Sequence, residues 1–360
     1  MAISTALLSV FQNSYGQDTL TYNHSLSVEP IQGFIYQHAP EVAHLISGQP
    51  RGIIISLDKH TYGARSWESR YNFLDVGFSL YYLDYGNPTI GKSIAIMPYY
   101  NFYFNKNREH RSDFIFKMAF GLGYNTNPYD RVDNNKNNFL GSDFSFGTQL
   151  QARYEYQLSP KVALKTGLSI LHFSNASMKR PNKGVNIVTA NIGVRYALTQ
   201  RNIKYNKSIM PFEKERIKYH LAVSAGTSEV TTIGAGSFPF YVLHAYAQNR
   251  TGHNSGLQLG ADFFVTKSIE QDIKYDPFLE GERPDYKRLG LFIGHEWYIN
   301  RLSFVTQFGY YAYRPYDSFK PVYQRINLKY YVRENLFAGF SLKTHFAKAE
   351  AAEFGIGIVL

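Results

Sequence analysis

The chain has 360 residues, no cysteine and a formal net charge of +10, with Tyr, Phe and Trp at 16% of positions and a mean hydropathy of only -0.31. No apolar run approaches the ~18–20 residues of a membrane-spanning helix, which excludes a helical transporter; the aromatic and glycine content excludes disorder and coiled coil. The missing cysteines exclude thiol catalysis, zinc–thiolate sites and iron–sulfur clusters, and the positive charge points to an anionic partner, either nucleic acid or anionic lipid.

From the start of the chain, the short apolar run AISTALLSVF at 2–11, followed by a polar stretch, predicts a signal peptide over 1–17, although no basic segment precedes it. After residue 20 the pattern changes to period two. Asp113–Tyr124 reads DFIFKMAFGLGY, with Phe114, Phe116, Met118, Phe120, Leu122 and Tyr124 on one face and small or charged residues on the other. Asp143–Leu158 sets Phe144, Phe146, Leu150, Ala152, Tyr154 and Tyr156 against Gln149, Gln151, Arg153, Glu155 and Gln157. Only extended chain sends successive side chains to opposite faces, so these are strands. They run 12 to 16 residues, whereas soluble strands average ~5–6 and a tilted bilayer-crossing strand needs ~9–11 plus its aromatic ends. The long strands, the polar face with mid-strand charges and the Tyr-tipped apolar face predict an all-β fold, an antiparallel transmembrane β-barrel of the outer membrane; a soluble sandwich is the alternative.

Sixteen such segments are counted, near 24–37, 51–61, 71–85, 89–104, 112–124, 142–158, 161–174, 185–198, 217–227, 237–248, 254–268, 286–299, 301–313, 322–333, 335–346 and 350–360. The even count is what bacterial barrels require, and one barrel of about 14–16 strands is preferred, since a single closed sheet removes edges without a second closure. The polar, basic segment 199–216 falls near the middle of the chain and leaves open the alternative of two eight-stranded barrels in tandem, 18–198 and 217–360. With both chain ends on the periplasmic side, 38–50, 125–141, 175–184 and 269–285 become outer loops, and Ser159-Pro160, Asn300 and Glu334-Asn335 tight inner turns. The alternating Phe354, Ile356, Ile358 and Leu360 close the last strand, at a chain end suited to recognition by the barrel-assembly machinery.

Soluble-enzyme signatures are absent: there is no G-x-S-x-G, G-x-G-x-x-G, P-loop or H-E-x-x-H. The chemistry concentrates in one hairpin, LSILHFSNASMKRPNKGVNIVTANIGVRYAL at 168–198. Leu168, Ile170, His172 and Ser174 share a face of the first strand, and Asn186, Val188, Ala190 and Ile192 share a face of the second. If that face meets lipid, His172, Ser174 and Asn186 are polar groups displayed outward at the membrane's outer boundary, where such groups are costly without a task. A Ser two residues after a His on a strand puts hydroxyl and imidazole side by side, as attack on an ester requires, and Asn186 is in position to orient the ring; solvated bystanders are the other reading. His345, with Glu350 and Glu353 nearby, reads as a lumen-facing structural group, and His295 and Glu296 fall on opposite faces.

The run His172-Phe-Ser174-Asn175-Ala176, followed by Pro181-Asn182 and Gly184, resembles the signature of the outer-membrane lipid A 3-O-deacylase (PagL) family over about 30 residues. The resemblance implies a small barrel that removes an ester-linked acyl chain from lipid A with a Ser-His-Glu triad facing the outer leaflet. It makes Ser174 the nucleophile, His172 the base, and Asn175 with the Ala176 backbone the oxyanion region. The family's acid position falls on Asn186, which holds an imidazole without supplying charge. Lys179, Arg180 and Lys183 in the same loop are candidate partners for lipid A phosphates. The expected partners are therefore lipid A or another outer-leaflet glycolipid and the outer membrane of a Gram-negative bacterium, with no nucleic acid, no metal and no cofactor. A non-enzymatic barrel, pore or surface-binding, that retains the motif as a relic is the competing reading, favoured by the extra strands and by Asn186.

Overall fold

The structure, a computed structural model, describes residues 23–360 except 106, 107, 109, 200–203, 208, 210, 231, 280, 282 and 347; the signal-peptide expectation at 1–17 lies outside the described residues. Sixteen strands form where the sequence alternates. They are His24–Ile35 (β1), Arg51–Lys59 (β2), Asp75–Asp84 (β3), Lys92–Tyr103 (β4), Ser112–Asn125 (β5), Phe144–Gln157 (β6), Val162–Ser174 (β7) and Val185–Ala197 (β8), then Lys218–Glu229 (β9), Ser237–Arg250 (β10), Ser255–Thr266 (β11), Arg288–Ile299 (β12), Leu302–Tyr313 (β13), Val322–Arg333 (β14), Leu336–His345 (β15) and Lys348–Val359 (β16).

All pairings are antiparallel between neighbours, and two further ladders close the sheets: β1 on β8 and β9 on β16. The chain is thus two eight-stranded barrels in tandem, the alternative to the single larger barrel. The closing ladder explains the choice, because β1 and β8 meet in matched rows, Leu26 against Tyr196 and Val28 against Val194, and leave no edge for β9 to join. Eight strands also enclose an interior that side chains just fill. No helix among the described residues is long and apolar enough to cross a membrane.

The first lumen is filled in two layers. At the end bearing the longer loops, which faces outward by the long-outside rule, Ile31, Ile54, Tyr81, Met97, Leu171, Phe173 and Ile187 form an apolar plug. Below it lies a network of buried charges: Lys165 Nζ meets Glu29 Oε1 at 2.6 Å and Ser27 Oγ at 2.9 Å, and Lys117 Nζ donates to Ser79 Oγ at 2.7 Å. In the second lumen Arg325 bridges Asp262 and Glu353, both at 2.7 Å, and Lys329 reaches Glu296 at 3.2 Å. His345 is the structural group expected, 2.6 Å from Glu350, which also binds Arg288 and Lys343. His295 points outward to Ser255 while Glu296 is buried inside.

The two barrels stand side by side. At the inner end Phe102 stacks on Trp297 with ring centroids 5.4 Å apart, the Tyr71 hydroxyl donates to the Tyr298 carbonyl, and Trp67, Leu74 and Ile299 bury against one another.

Candidate active site

The ladder of β7 and β8 decides where the polar side chains of the hairpin go. Leu171 and Phe173 point into the first lumen and are almost fully buried, so their alternating neighbours His172 and Ser174 point out. Phe173 has room because its neighbour across the sheet is Gly147, where a Cβ would lie 2.9 Å from the Phe173 ring. His172 sits directly across from Asn186 on one side and Thr148 on the other; Ser174 faces Phe146.

His172 Nδ1 is 2.7 Å from Asn186 Oδ1. An amide oxygen only accepts, so Nδ1 carries the proton and Nε2 is left with its lone pair free. Gly184, at φ +72°, packs against the ring; a Cβ there would lie 2.8 Å from His172 Cε1.

After Ser174 the chain turns sharply, with Ala176 and Ser177 both at positive φ, +53° and +65°. Non-glycine residues adopt that region at a cost that the surrounding structure must hold in place. The turn aims the Ala176 N–H back at Ser174 Oγ at 3.1 Å, and Asn182 Nδ2 reaches the same oxygen at 2.8 Å. Both lone pairs of Oγ are thereby occupied by donors, and its own proton is left to be given away. Among the described residues no hydrogen bond joins His172 to Ser174; such contacts commonly close only with substrate present.

The loop is braced from below. Asn175 Nδ2 donates to Ser142 Oγ at 2.9 Å and to Lys179 O at 2.8 Å, while its N–H donates to Asn182 Oδ1 at 3.1 Å. The Asn175 side chain therefore holds the loop, and Asn182 is the amide at Ser174. Asn182 belongs to the motif, yet nothing in residue order says that a residue eight positions on folds back onto Ser174. Lys179 and Lys183 are exposed at the loop surface, Lys183 within 3.6 Å of Glu41, and Arg180 is half-buried. No group of three or more His, Asp or Glu side chains among the described residues is arranged to hold a metal.

Two Ser–His–Asp chains were not visible in the sequence. Ser25 Oγ, His60 and Asp75 link at 2.9 and 2.9 Å inside the first barrel, and Ser224 Oγ, His244 and Asp262 at 2.9 and 2.7 Å inside the second. Their serines are buried, and the cavity beside Ser224 measures about 30 Å³, enough for one water. The Ser174 group has the access that these lack.

Residues 51–195 match the family described as Lipid A 3-O-deacylase (PagL), and residues 217–360 match the one described as Acyloxyacyl hydrolase, C-terminal domain. No curated protein matches the chain. Among solved structures, Neisserial surface protein A is 16% identical with a TM-score of 0.33, the match covering 48% of this chain and 96% of its own. Pseudomonas aeruginosa OccK5 is 9% identical with a TM-score of 0.22, covering 94% of this chain and 97% of its own.

Proposed function

Because the chain belongs to the lipid A 3-O-deacylase (PagL) family, and is by that membership an outer-membrane deacylase, we propose that Ser174 and His172 carry out the ester cleavage. The observation that carries this reading is the outward cluster at the top of the first barrel: a hydroxyl whose lone pairs receive Ala176 N–H and Asn182 Nδ2, beside an imidazole with a free Nε2.

In this mechanism Nε2 takes the Ser174 proton as Oγ attacks the acyl carbonyl of lipid A. The Ala176 N–H and the Asn182 amide, already gathered at Oγ, turn to the developing oxyanion, while Asn175 keeps the loop in shape. The tetrahedral intermediate collapses, the sugar oxygen leaves with the proton from Nε2, and the acyl group stays on Ser174. Water, deprotonated by the same nitrogen, then releases the fatty acid and restores the serine. Asn186 fixes the ring and its tautomer but brings no charge to the imidazolium, so the base works at a disadvantage. Lys179, Arg180 and Lys183 supply positive charge where the phosphates of lipid A lie.

The pore reading finds no support in the lumens, which are packed with paired charges. The test is hydrolysis of a butyryl ester by the purified protein. Ser174→Ala and His172→Ala should each abolish turnover while heat-modifiable gel mobility shows a folded barrel. Full turnover by a folded Ser174→Ala protein would contradict the assignment.

A further inference from the structure

The catalytic hairpin is not free-standing. Ser177 Oγ donates to Ala349 O at 2.8 Å, the Arg180 N–H donates to the Glu229 carboxylate, and Ser237 Oγ donates to Met178 O at 3.5 Å. Glu229 is itself held, since its other oxygen accepts the Gly234 N–H at 3.0 Å. Three points of the loop that follows the nucleophile are thus tied to the outer turns of the second barrel.

Below these ties the barrels interlock through aromatic rings. Phe120 and Phe146 pack on Phe340 at centroid distances of 5.2 and 4.6 Å, and Phe146 stands 6.5 Å from Phe354. Phe146 is also the residue directly across the ladder from Ser174. Above this ring contact between β6 and β15–β16, the loop that follows β7 meets the outer ends of β16, β9 and β10. On that wall successive register partners are Phe340, Phe354, Ala225, Tyr241 and Val265. Ala225 is the small residue in a row of large ones. The outer wall is notched there by an apolar groove of about 580 Å³, lined among others by Phe354, Ala225, Tyr241 and the glycines 339 and 355.

We propose that this groove of the second barrel receives the acyl chain of the glycolipid whose ester is presented to Ser174. The inference rests on the esterase reading above. Three features favour a substrate chain as the occupant. The volume is that of a small-molecule site. Ala225 lies four residues down the strand from Glu229, roughly 13 Å along a strand tilted ~35–45° and so about 10 Å toward the membrane interior, the direction in which a chain esterified at headgroup level extends. Lys179, Arg180 and Lys183 belong to the loop tied above it, where they outnumber the carboxylates Glu41 and Glu229, so a net positive loop overlies an apolar groove, matching an anionic amphiphile. The loop ties hold the groove at a fixed distance from the nucleophile, which makes the second barrel part of the substrate site.

Ala225→Trp fills the notch with a side chain that a lipid-facing strand accepts, and Ile293→Trp, outward on β12, is the control; gel mobility checks folding of both. In full-length protein in vesicles, Ala225→Trp should lower release of a tetradecanoyl chain from lipid A by about tenfold or more while butyryl ester turnover stays within about twofold. In the Ser174→Ala background, native mass spectrometry should find lipid A retained by the single variant and by Ser174→Ala/Ile293→Trp, and lost from Ser174→Ala/Ala225→Trp. Unchanged long-chain release with lipid A still retained would overturn the proposal, as would an equal fall for both esters or displacement of phospholipid alone. A wild type that hydrolyses no ester would contradict the esterase reading, and the retention measurement would still decide the groove.

Discussion

At the level of single residues, the site turns on an imidazole held by an amide. Asn186 Oδ1 at 2.7 Å from His172 Nδ1 gives the correct tautomer, and what it withholds is charge. Asn186→Ala removes the acceptor and leaves the ring N–H unpaired, so kcat/KM for the butyryl ester should fall about tenfold to a hundredfold. Asn186→Glu restores a charge and should raise it above wild type; a fall in that variant would mean that the pocket is built around the neutral amide. Gly184 is the second sensitive position. An added methyl would lie 2.8 Å from the His172 ring, on a backbone at φ +72°, so Gly184→Ala should lose most activity while the barrel still assembles, as gel mobility would report. That His172, Ser174 and Asn186 lie together on the outward face was legible in the sequence, because period two fixes which side chains share a face and a hairpin brings strand ends together. The contacts of Asn175 and Asn182 were not legible, because they depend on how the loop folds back between the two residues.

At the level of strands, alternation and turn residues located all sixteen within a few residues, since a lumen and a lipid face impose opposite demands on successive positions. Closure was not legible. Whether β8 pairs with β1 or with β9 depends on matching between distant strands, such as Val28 with Val194 and Ser224 with Gly355, and no local pattern carries that information. The charged residues read as lumenal are indeed inside, but as partners of one another. Glu29 and Lys165 are each only 1% exposed at the side chain, so removing one leaves the other's charge buried without its ion partner, held only by the neutral Gln151 or Ser27. Lys165→Ala should destabilise the first barrel by about 3–5 kcal/mol, read as a lowered urea midpoint in lipid vesicles, whereas the Glu29→Leu/Lys165→Met double variant should lose less.

At the level of the whole molecule, two filled barrels joined through aromatic rings and loop ties make a single lipid-facing unit. The extra strands, which from the sequence argued for a pore, belong to a second wall beside the hairpin that carries His172 and Ser174. Packed lumens predict that the purified protein gives no conductance steps in planar bilayers; regular steps would revive the channel reading. The interface was invisible in residue order, because Phe146 and Phe340 are ordinary outward aromatics until the two barrels are set side by side.

Mass spectrometry of lipid A from cells expressing the wild type and Ser174→Ala, both shown to be folded, decides whether this protein is a Ser174-dependent deacylase of the outer membrane. Loss of one acyl mass is expected with the wild type and intact lipid A with Ser174→Ala. Intact lipid A with both proteins, or the same loss with both, would contradict that assignment.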